Sequence, residues 1–335
     1  GGSPSKLLSS CRLKQNRQAV LNLARIDAAS RTQEEFSPRE WLRLRAEGEI
    51  SGLTLLLRSF ARRALPLCAA LTASTAPVFA QFPSALDGFD PNVDGNVYVL
   101  ASQADGKLLV GGQFSTVQGY PRNNLARLNA DGSIDHSFDP SPNGPVRAIA
   151  LQPDGRIVFG GDFVSLQPGG AGTPIGRGRI ARVSATGAAD AFNPNVGGEL
   201  QPQVYALAIQ PNGQIVAGGS FTTAHPNAPQ GTPTARNYLA RFNADGTLDA
   251  GFNPSPNGMV LALASYVGNM IVVGGGFTTV GGEERSYIAR LNPGGTVDSE
   301  FIPNANNGVT CLTVQRDGKI LLGGYFTTLQ PPINE

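Results

Sequence analysis

The feature that most constrains this 335-residue chain is a unit that recurs about every 50 residues. ADGKLLVGGQF at 104–114 combines a turn, an apolar run, a glycine doublet and a phenylalanine, and the pattern returns at 153–163, 211–221, 267–277 and 316–326. A second segment, NLARLNADGSIDHSF at 124–138, alternates with it and returns at 179–192, 238–252 and 287–301. A period of this size is typical of repeat architectures, so it outweighs any single motif in predicting the fold.

Each unit contains four short apolar runs bounded by turn residues, which we name strands A to D. In the first unit they are VYVLASQ (97–103), LLVGGQF (108–114), NLARLN (124–129) and SIDHSF (133–138). Four strands in about 50 residues predict an all-β fold, a β-propeller of four-stranded blades. A solenoid of two-stranded rungs is the alternative. The sequence holds about four full blades and parts of a fifth, so we expect a truncated propeller with its fifth C strand beyond Glu335.

The A–B and C–D links have the form Ala/Pro-Asp/Asn-Gly. Proline at the first central position (Pro153, Pro211) requires a negative φ, which excludes a type I′ turn and favours a type I turn followed by a glycine bulge. That three-residue loop sets the register and places an arginine of strand C opposite an aspartate of strand D in every full unit. We therefore predict four structural ion pairs: Arg127 with Asp135, Arg182 with Asp190, Arg241 with Asp249, and Arg290 with Asp298.

The glycine doublet of strand B raises the question of a phosphate-binding loop. Such a loop joins a strand to a helix, and no helical pattern follows any of the five copies. Glycine inside a strand instead allows close packing. We expect the packing neighbour to be an aromatic side chain of an adjacent strand or blade.

The N-terminal part of the chain differs from the repeats in charge. Residues 1–80 carry a net charge of +6 and residues 81–335 a net charge of −5. Residues 58–80 combine basic residues, a short apolar stretch and small residues before Gln81, which predicts a signal peptide. An uncleaved membrane anchor is the alternative. The predicted domains are thus an uncertain extension at 1–57, the signal peptide at 58–80, and a propeller domain at 81–335 that is incomplete at its C-terminus.

Residues 86–89, LDGF, match strand D, so we expect them to close the last blade. Only Cys311 remains in the body after cleavage, and it is predicted to be a buried apolar side chain without a disulfide.

Length variation is concentrated in the B–C and D–A links, which share one face of a propeller, whereas the uniform A–B and C–D turns share the other. The variable face is therefore the predicted binding face. The candidate residues on its loops are Tyr120, Arg122, Arg177, His225, Arg236, Glu283, Glu284 and Arg285. Taken singly, each of them is better explained as a solvated loop residue.

Catalytic and metal-binding motifs are absent from the sequence of the repeats. The body has two histidines, His136 and His225, and it lacks HExxH, CxxC and GxSxG patterns, so we predict no metal, no cofactor and no enzymatic activity. The mildly acidic body also excludes a basic nucleic-acid surface. A polysaccharide lyase or hydrolase with a site at the channel mouth is the alternative, with Asp94, Asp162 and Glu199 as candidate carboxylates. A channel lined by Val97, Leu100, Ala148 and Ala206 would favour a scaffold.

The two segments resemble the bacterial delta-60 repeat family. The resemblance is carried by LQPDGRIVFGGDF (151–163), YLARFNADGTLDAGFNP (238–254) and YIARLNPGGTVDSEFIP (287–303), and it covers residues 85–335. It implies a propeller-like fold in secreted or surface proteins, generally without a defined activity. We therefore expect a secreted or cell-surface scaffold that binds protein or glycan and has no membrane span in its mature body.

Overall fold

The structure, a computed structural model, describes residues 22–26, 33–35, 91–198, 201–226 and 232–329. Within these ranges the chain forms antiparallel strands, joined in two places by three-residue 3-10 segments at Pro168–Gly170 and Val267–Asn269. The sheets confirm the predicted all-β propeller architecture. The extension at 1–57 is described only at 22–26 and 33–35, and the signal peptide at 58–80 and the LDGF segment lie outside the described residues.

The strands follow the repeats. The first two are β1 (Asn22–Ile26) and β2 (Gln33–Glu35). Blade 1 comprises β3 (Asn96–Ser102), β4 (Leu108–Gln113), β5 (Thr116–Val117), β6 (Tyr120–Pro121) and β7 (Leu125–Leu128). Blade 2 comprises β8 (Val146–Leu151), β9 (Ile157–Gly161), β10 (Ser165–Leu166), β11 (Ile175–Gly176) and β12 (Ile180–Val183).

The remaining blades repeat this order. Blade 3 comprises β13 (Pro194–Gly197), β14 (Val204–Ile209), β15 (Ile215–Gly219), β16 (Thr223–Pro226), β17 (Thr234–Ala235) and β18 (Leu239–Phe242). Blade 4 comprises β19 (Val260–Ser265), β20 (Ile271–Gly275), β21 (Thr279–Val280), β22 (Glu283–Glu284) and β23 (Ile288–Leu291). Blade 5 contains β24 (Val309–Val314) and β25 (Ile320–Gly324).

In blades 1 to 4, strands A, B and C form a three-stranded sheet with B in the middle. The A strands β3, β8, β14, β19 and β24 lie side by side in that order and form the inner wall. Apolar clusters fill the spaces between consecutive blades. One of them joins Val158 and Phe192 of blade 2 to Val204 and Phe221 of blade 3. The core is therefore divided among the blade junctions.

The predicted hairpin turns are present. Gly155, at the end of the A–B turn of blade 2, has a φ of 83° and donates its N–H to the Gln152 carbonyl at 3.0 Å. The Gln152 N–H in turn donates to the Arg156 carbonyl at 2.9 Å. This is the type I turn with a glycine bulge that proline at position 153 requires.

Strand D is shorter than predicted. In blade 1 it is reduced to a bridge between Leu128 and Ile134, and blades 2 to 4 each have the same single bridge. The reason is the next residue, Asp135, whose Oδ1 accepts the Ser137 N–H at 2.9 Å. This local bond turns the chain away from the ladder.

The four predicted ion pairs between strands C and D are present. Their shortest N–O distances are 2.9 Å (Arg127–Asp135), 2.7 Å (Arg182–Asp190), 2.8 Å (Arg241–Asp249) and 2.6 Å (Arg290–Asp298). Each guanidinium also lies over the phenylalanine that closes its own repeat, with Cζ 4.2–4.8 Å from the ring centroid. Stacking on an aromatic face adds to the ion pair and holds the guanidinium flat against the blade.

The glycine doublet packs closely, as predicted, but against different neighbours. A Cβ on Gly160 would lie 2.5 Å from Val204 Cγ1 of the next blade, and a Cβ on Gly161 would lie 2.0 Å from the Pro145 carbonyl oxygen of its own blade. The first glycine thus receives a valine rather than the expected aromatic, because a branched side chain fills the narrow space between two inner strands. The second glycine makes room for a backbone oxygen.

Blade 5 has a C strand within the chain, and the prediction that this strand lies beyond Glu335 is wrong. β1 pairs with β25 in the register that strand C has in the other blades, and the resulting sheet has the order β2-β1-β25-β24. Ile26 lies opposite Ile320, as Leu291 lies opposite Ile271 in blade 4. The segment at 22–26 reads NLARI, almost identical to NLARL at 124–128, which explains why it occupies this position.

Candidate functional site

Every inner strand contains a β-bulge at the end next to the B–C and D–A links. The pairing of β8 with β9 skips one residue between Val146 and Ala148, and the other four A strands show the same shift. The bulged residues are Tyr98, Arg147, Tyr205, Leu261 and Thr310. Bulges redirect side chains and often border functional sites.

Two further positions lie beside each bulge. The first is the residue before the first valine of strand A, which in blades 1 to 5 is Asn96, Pro145, Gln203, Met259 and Gly308. The second is the residue after the glycine doublet of strand B, which in blades 1 to 5 is Gln113, Asp162, Ser220, Gly276 and Tyr325. We call these fifteen residues, three per blade, the inner mouth. Their chemistry differs from blade to blade, whereas the valine, the glycine doublet and the phenylalanine around them are repeated. The fold therefore does not dictate what stands at the inner mouth.

Blades 1 to 3 form a polar network at the inner mouth, with Arg147 at its centre. Arg147 binds Asp162 through two parallel bonds, Nε–Oδ1 and Nη2–Oδ2, both 2.7 Å. The hydrogen bond to Asp162 raises the pKa of Arg147. The guanidinium Cζ lies 5.0 Å from the ring centroid of Tyr98 and 5.6 Å from that of Tyr205, so blades 1, 2 and 3 meet at this arginine.

Amide side chains complete the network. Gln203 donates to Asp162 Oδ2 at 3.2 Å and accepts from the Tyr205 hydroxyl. The Tyr98 hydroxyl donates to Gln113 Oε1 at 3.0 Å. Blades 4 and 5 contribute a less polar side, on which Met259 is 48% and Tyr325 62% exposed. The inner mouth thus changes from polar to apolar along its length.

Arg179 adjoins this network from the start of strand C in blade 2. Its Nε donates to the Pro202 carbonyl at 2.7 Å and its Nη1 to the Val196 carbonyl at 3.4 Å, and Pro202 directly precedes Gln203. Burial lowers the pKa of Arg179, and the charge of Asp162 partly opposes that effect. Its backbone is left-handed, with a φ of 70°.

The longest links stand beside this part of the inner mouth. In blade 3, β13 of the D–A link pairs with β16, which pairs with β17, so the two links form a small sheet of their own. Arg179 contacts this sheet at Val196. The sheet therefore lies next to the inner mouth at the junction of blades 2 and 3.

The four arginines predicted on the binding loops have a different role. Arg122, Arg236 and Arg285 are buried and Arg177 is half-buried. Each donates from Nη2 to the backbone carbonyl of the aspartate that follows in strand D: Asp135, Asp190, Asp249 or Asp298. They tie the B–C link to strand D, so they are structural residues rather than exposed loop groups. The signal in the sequence was their constant offset, five residues before the strand C arginine.

The other four loop candidates are not brought together. Tyr120 is 47% exposed and packs edge-on against His136 of the same blade, with ring centroids 4.6 Å apart. His225 lies in β16 of blade 3 and its Nε2 is 2.9 Å from Thr223 Oγ1. Glu283 and Glu284 are exposed on blade 4.

The candidate carboxylates are not brought together among the described residues either. Asp94 accepts the N–H groups of Ser115 and Thr116 at 2.9 Å each, and Asn143 binds the equivalent N–H groups in blade 2. The Ser115 hydroxyl bond holds the pKa of Asp94 well below its usual range. Asp94 therefore anchors a loop, Asp162 lies in the inner mouth, and Glu199 lies outside the described residues.

The residues predicted to line a channel pack into the core. Val97 and Leu100 border the cluster of blade 1, Ala148 belongs to the cluster between blades 2 and 3, and Ala206 is buried. Strand side chains point to the two faces of a sheet, which here meet neighbouring blades. The bulged residues are half-buried at the start of each A strand.

Within the described ranges, no group of three or more His, Cys, Asp or Glu side chains is placed to hold a metal ion. These described residues also include no helix that is long and apolar enough to cross a membrane.

A family model described as a domain of unknown function (DUF5122) beta-propeller matches residues 103–138, 152–192, 210–252, 269–301 and 315–330. No curated protein matches the chain in sequence. Among solved structures, the extracellular domain of a one-component system from B. thetaiotaomicron is similar with 16% identity and a TM-score of 0.43. The alignment covers 72% of this chain and 28% of that one, so the chain spans about a quarter of that protein.

Two further solved proteins are also similar to this chain. A streptogramin B lyase has 14% identity and a TM-score of 0.34, with 70% of this chain and 93% of that chain covered. The Dos1 propeller has 13% identity and a TM-score of 0.38, with 67% and 52% covered.

Proposed function

The chain belongs to the family of domains of unknown function (DUF5122) that form beta-propellers, and from this premise we propose that it is a non-catalytic scaffold that binds protein or glycan. Its binding face is the one formed by the B–C and D–A links, with the inner mouth at the centre. A location outside the cell or on its surface is part of the proposal and rests on the resemblance to delta-60 repeats, because cleavage before Gln81 would remove β1 from blade 5.

One observation carries the proposal: chemically different side chains converge at equivalent positions of an otherwise repeated structure. The fold accepts tyrosine, arginine, leucine or threonine at the bulge, so packing does not select among them. Aromatic rings, amides and an exposed apolar side brought together in one place are typical of ligand sites. Ligand recognition is therefore the function that best accounts for the variety of side chains at the inner mouth.

The arrangement supports binding rather than catalysis. Glycoside hydrolysis commonly uses two carboxylates. Among the described residues of the inner mouth, Asp162 is the single carboxylate, and both its oxygens accept hydrogen bonds. The hydroxyls of Tyr98 and Tyr205 are likewise engaged with glutamines. A polysaccharide lyase or hydrolase remains the alternative function, since tyrosines and a carboxylate do meet at this end.

The test is an array of glycans and of extracellular proteins probed with the wild-type chain and with the double variant Tyr98→Leu/Tyr205→Leu. Leucine already occupies this position in blade 4, as Leu261, so the fold tolerates it. We expect the double variant to lose binding and Arg156→Gln, on the opposite face, to retain it. Equal binding by all three proteins would contradict a site at the inner mouth. Release of shortened or unsaturated sugars from a bound glycan would favour the enzyme.

A further inference from the structure

We propose that the ligand is a polysaccharide bearing carboxylate groups, such as a polyuronate, and that Arg179 binds the carboxylate. This inference rests on the proposed function and adds the chemical class of the ligand. It begins from the charges at the junction of blades 2 and 3.

Two arginines, Arg147 and Arg179, lie near the single carboxylate of Asp162 there. Arg147 is fully engaged by Asp162 through two bonds of 2.7 Å. Arg179 donates to the carbonyls of Pro202 and Val196, and within the described ranges it forms no salt bridge. Among the residues that the structure describes, the junction therefore carries one positive charge in excess, on a side chain next to the inner mouth.

A half-buried guanidinium that has only carbonyl acceptors is destabilising relative to a neutral side chain. The fold does not require it. The equivalent left-handed positions are occupied by Asn124 in blade 1, Tyr238 in blade 3 and Tyr287 in blade 4, with φ values of 61°, 61° and 66°. A charge present in one blade alone, at a cost in desolvation, is typical of a group that meets an external partner.

The surroundings favour a glycan as the source of the carboxylate. Tyrosine hydroxyls and glutamine amides at Tyr98, Gln113, Gln203 and Tyr205 offer several hydrogen-bonding groups of the kind that sugar hydroxyls use. The exposed faces of Met259 and Tyr325 can receive the apolar face of a sugar ring. A neutral glycan would satisfy these groups but would leave Arg179 without a counter-charge, whereas a uronate satisfies both.

The experiment is a titration of the full chain with polygalacturonate by calorimetry, with dextran as a neutral polysaccharide and poly-glutamate as an acidic polypeptide. The variant is Arg179→Asn, which installs the residue of blade 1 at a position whose backbone it suits. We expect Arg179→Asn to bind polygalacturonate about tenfold more weakly, the loss of one charge-assisted contact. Its thermal unfolding midpoint should not fall, and Arg156→Gln on the opposite face should bind like the wild type.

A second variant, Arg179→Tyr, installs the residue of blades 3 and 4 and covers the case in which asparagine perturbs the fold. Equal polygalacturonate affinity in the wild type and a folded Arg179 variant would overturn the inference. So would binding of poly-glutamate without polygalacturonate. If dextran binds at the inner mouth as tightly as polygalacturonate, the proposed function stands and the ligand class is wrong. If none of the probes binds and the arrays are also blank, the proposed function itself fails.

Discussion

Arg182 of blade 2 donates from Nη1 to the main-chain carbonyl of Ala244 in blade 3 at 2.7 Å, while its Nε binds Asp190 of its own blade at 2.7 Å. Arg127 reaches Ala185 and Arg241 reaches Pro293 in the same way. The ion pair predicted within a blade is therefore also a contact between blades. The compact ammonium group of a lysine cannot replace a guanidinium that donates to two separate acceptors at once.

Arg182→Lys should lower the free energy of unfolding by about 1–2 kcal/mol, because an ammonium group can keep Asp190 but not also Ala244. The measurement is the urea midpoint relative to the wild type, with Arg316→Gln in the exposed A–B turn of blade 5 as the control. Arg182→Met should be less stable than Arg182→Lys, since it leaves Asp190 with Arg156, 3.8 Å away, as its remaining cationic neighbour. A lysine variant as stable as the wild type would show that the inter-blade bond contributes little.

Gly160→Ala should destabilise the chain by about 1–3 kcal/mol through overpacking, and Val204→Ala should relieve part of that loss. The new Cβ would lie 2.5 Å from Val204 Cγ1, a side-chain atom that the second substitution removes. Gly161→Ala is the matched control, because its Cβ would meet the Pro145 carbonyl and Val204→Ala cannot help. A double-mutant cycle on urea midpoints distinguishes the two glycines. Strictly additive effects of Gly160→Ala and Val204→Ala would contradict the contact.

Stability should fall as the pH drops below about 4, with Asp135 contributing to the fall. Burial alone would raise the pKa of Asp135, but bonds from Lys107 and Ser137 and the charge of Arg127 hold it well below its usual range. A carboxyl with a lower pKa in the folded state stabilises the fold above its unfolded pKa and loses that contribution as the pH falls toward the folded value. Between pH 5 and pH 2, Asp135→Asn should therefore show a smaller decrease in urea midpoint than the wild type. Parallel curves for the two proteins would argue against this role of Asp135.

Ala24→Pro should loosen blade 5. Proline removes a backbone N–H from β1, which lies beside β25 with Ala24 opposite Leu322. We expect faster amide hydrogen exchange in Ile320–Gly324 and unchanged exchange in Ile157–Gly161 of blade 2. Unaltered exchange in both strands would show that β1 does not protect β25.

The sequence predicts those features that depend on neighbours close in the chain. The hairpin loop fixes the register, so the pairing of Arg241 with Asp249 followed from counting residues. Contacts between blades depend on how blades stack, which no local pattern encodes, and for that reason the valine beside Gly160 was missed. The bulge at Arg147 was also missed, because it arises from the close approach of strand A to the second glycine. Arg122 was misassigned because its place in a loop was given more weight than its fixed offset from Arg127.

Because β1 supplies a strand of blade 5, we expect blade 5 to fold later than blades 1 to 4. Blades 1 to 4 join segments close together in sequence, so each can form soon after it leaves the ribosome. Blade 5 must unite residues near position 24 with residues near position 322, and closing so long a loop carries a larger entropic cost. β1 is thus synthesised well before its partner β25 and pairs late. Until then, the edge of β25 is open to any strand of similar sequence, which makes the final step the one most exposed to misassembly between chains.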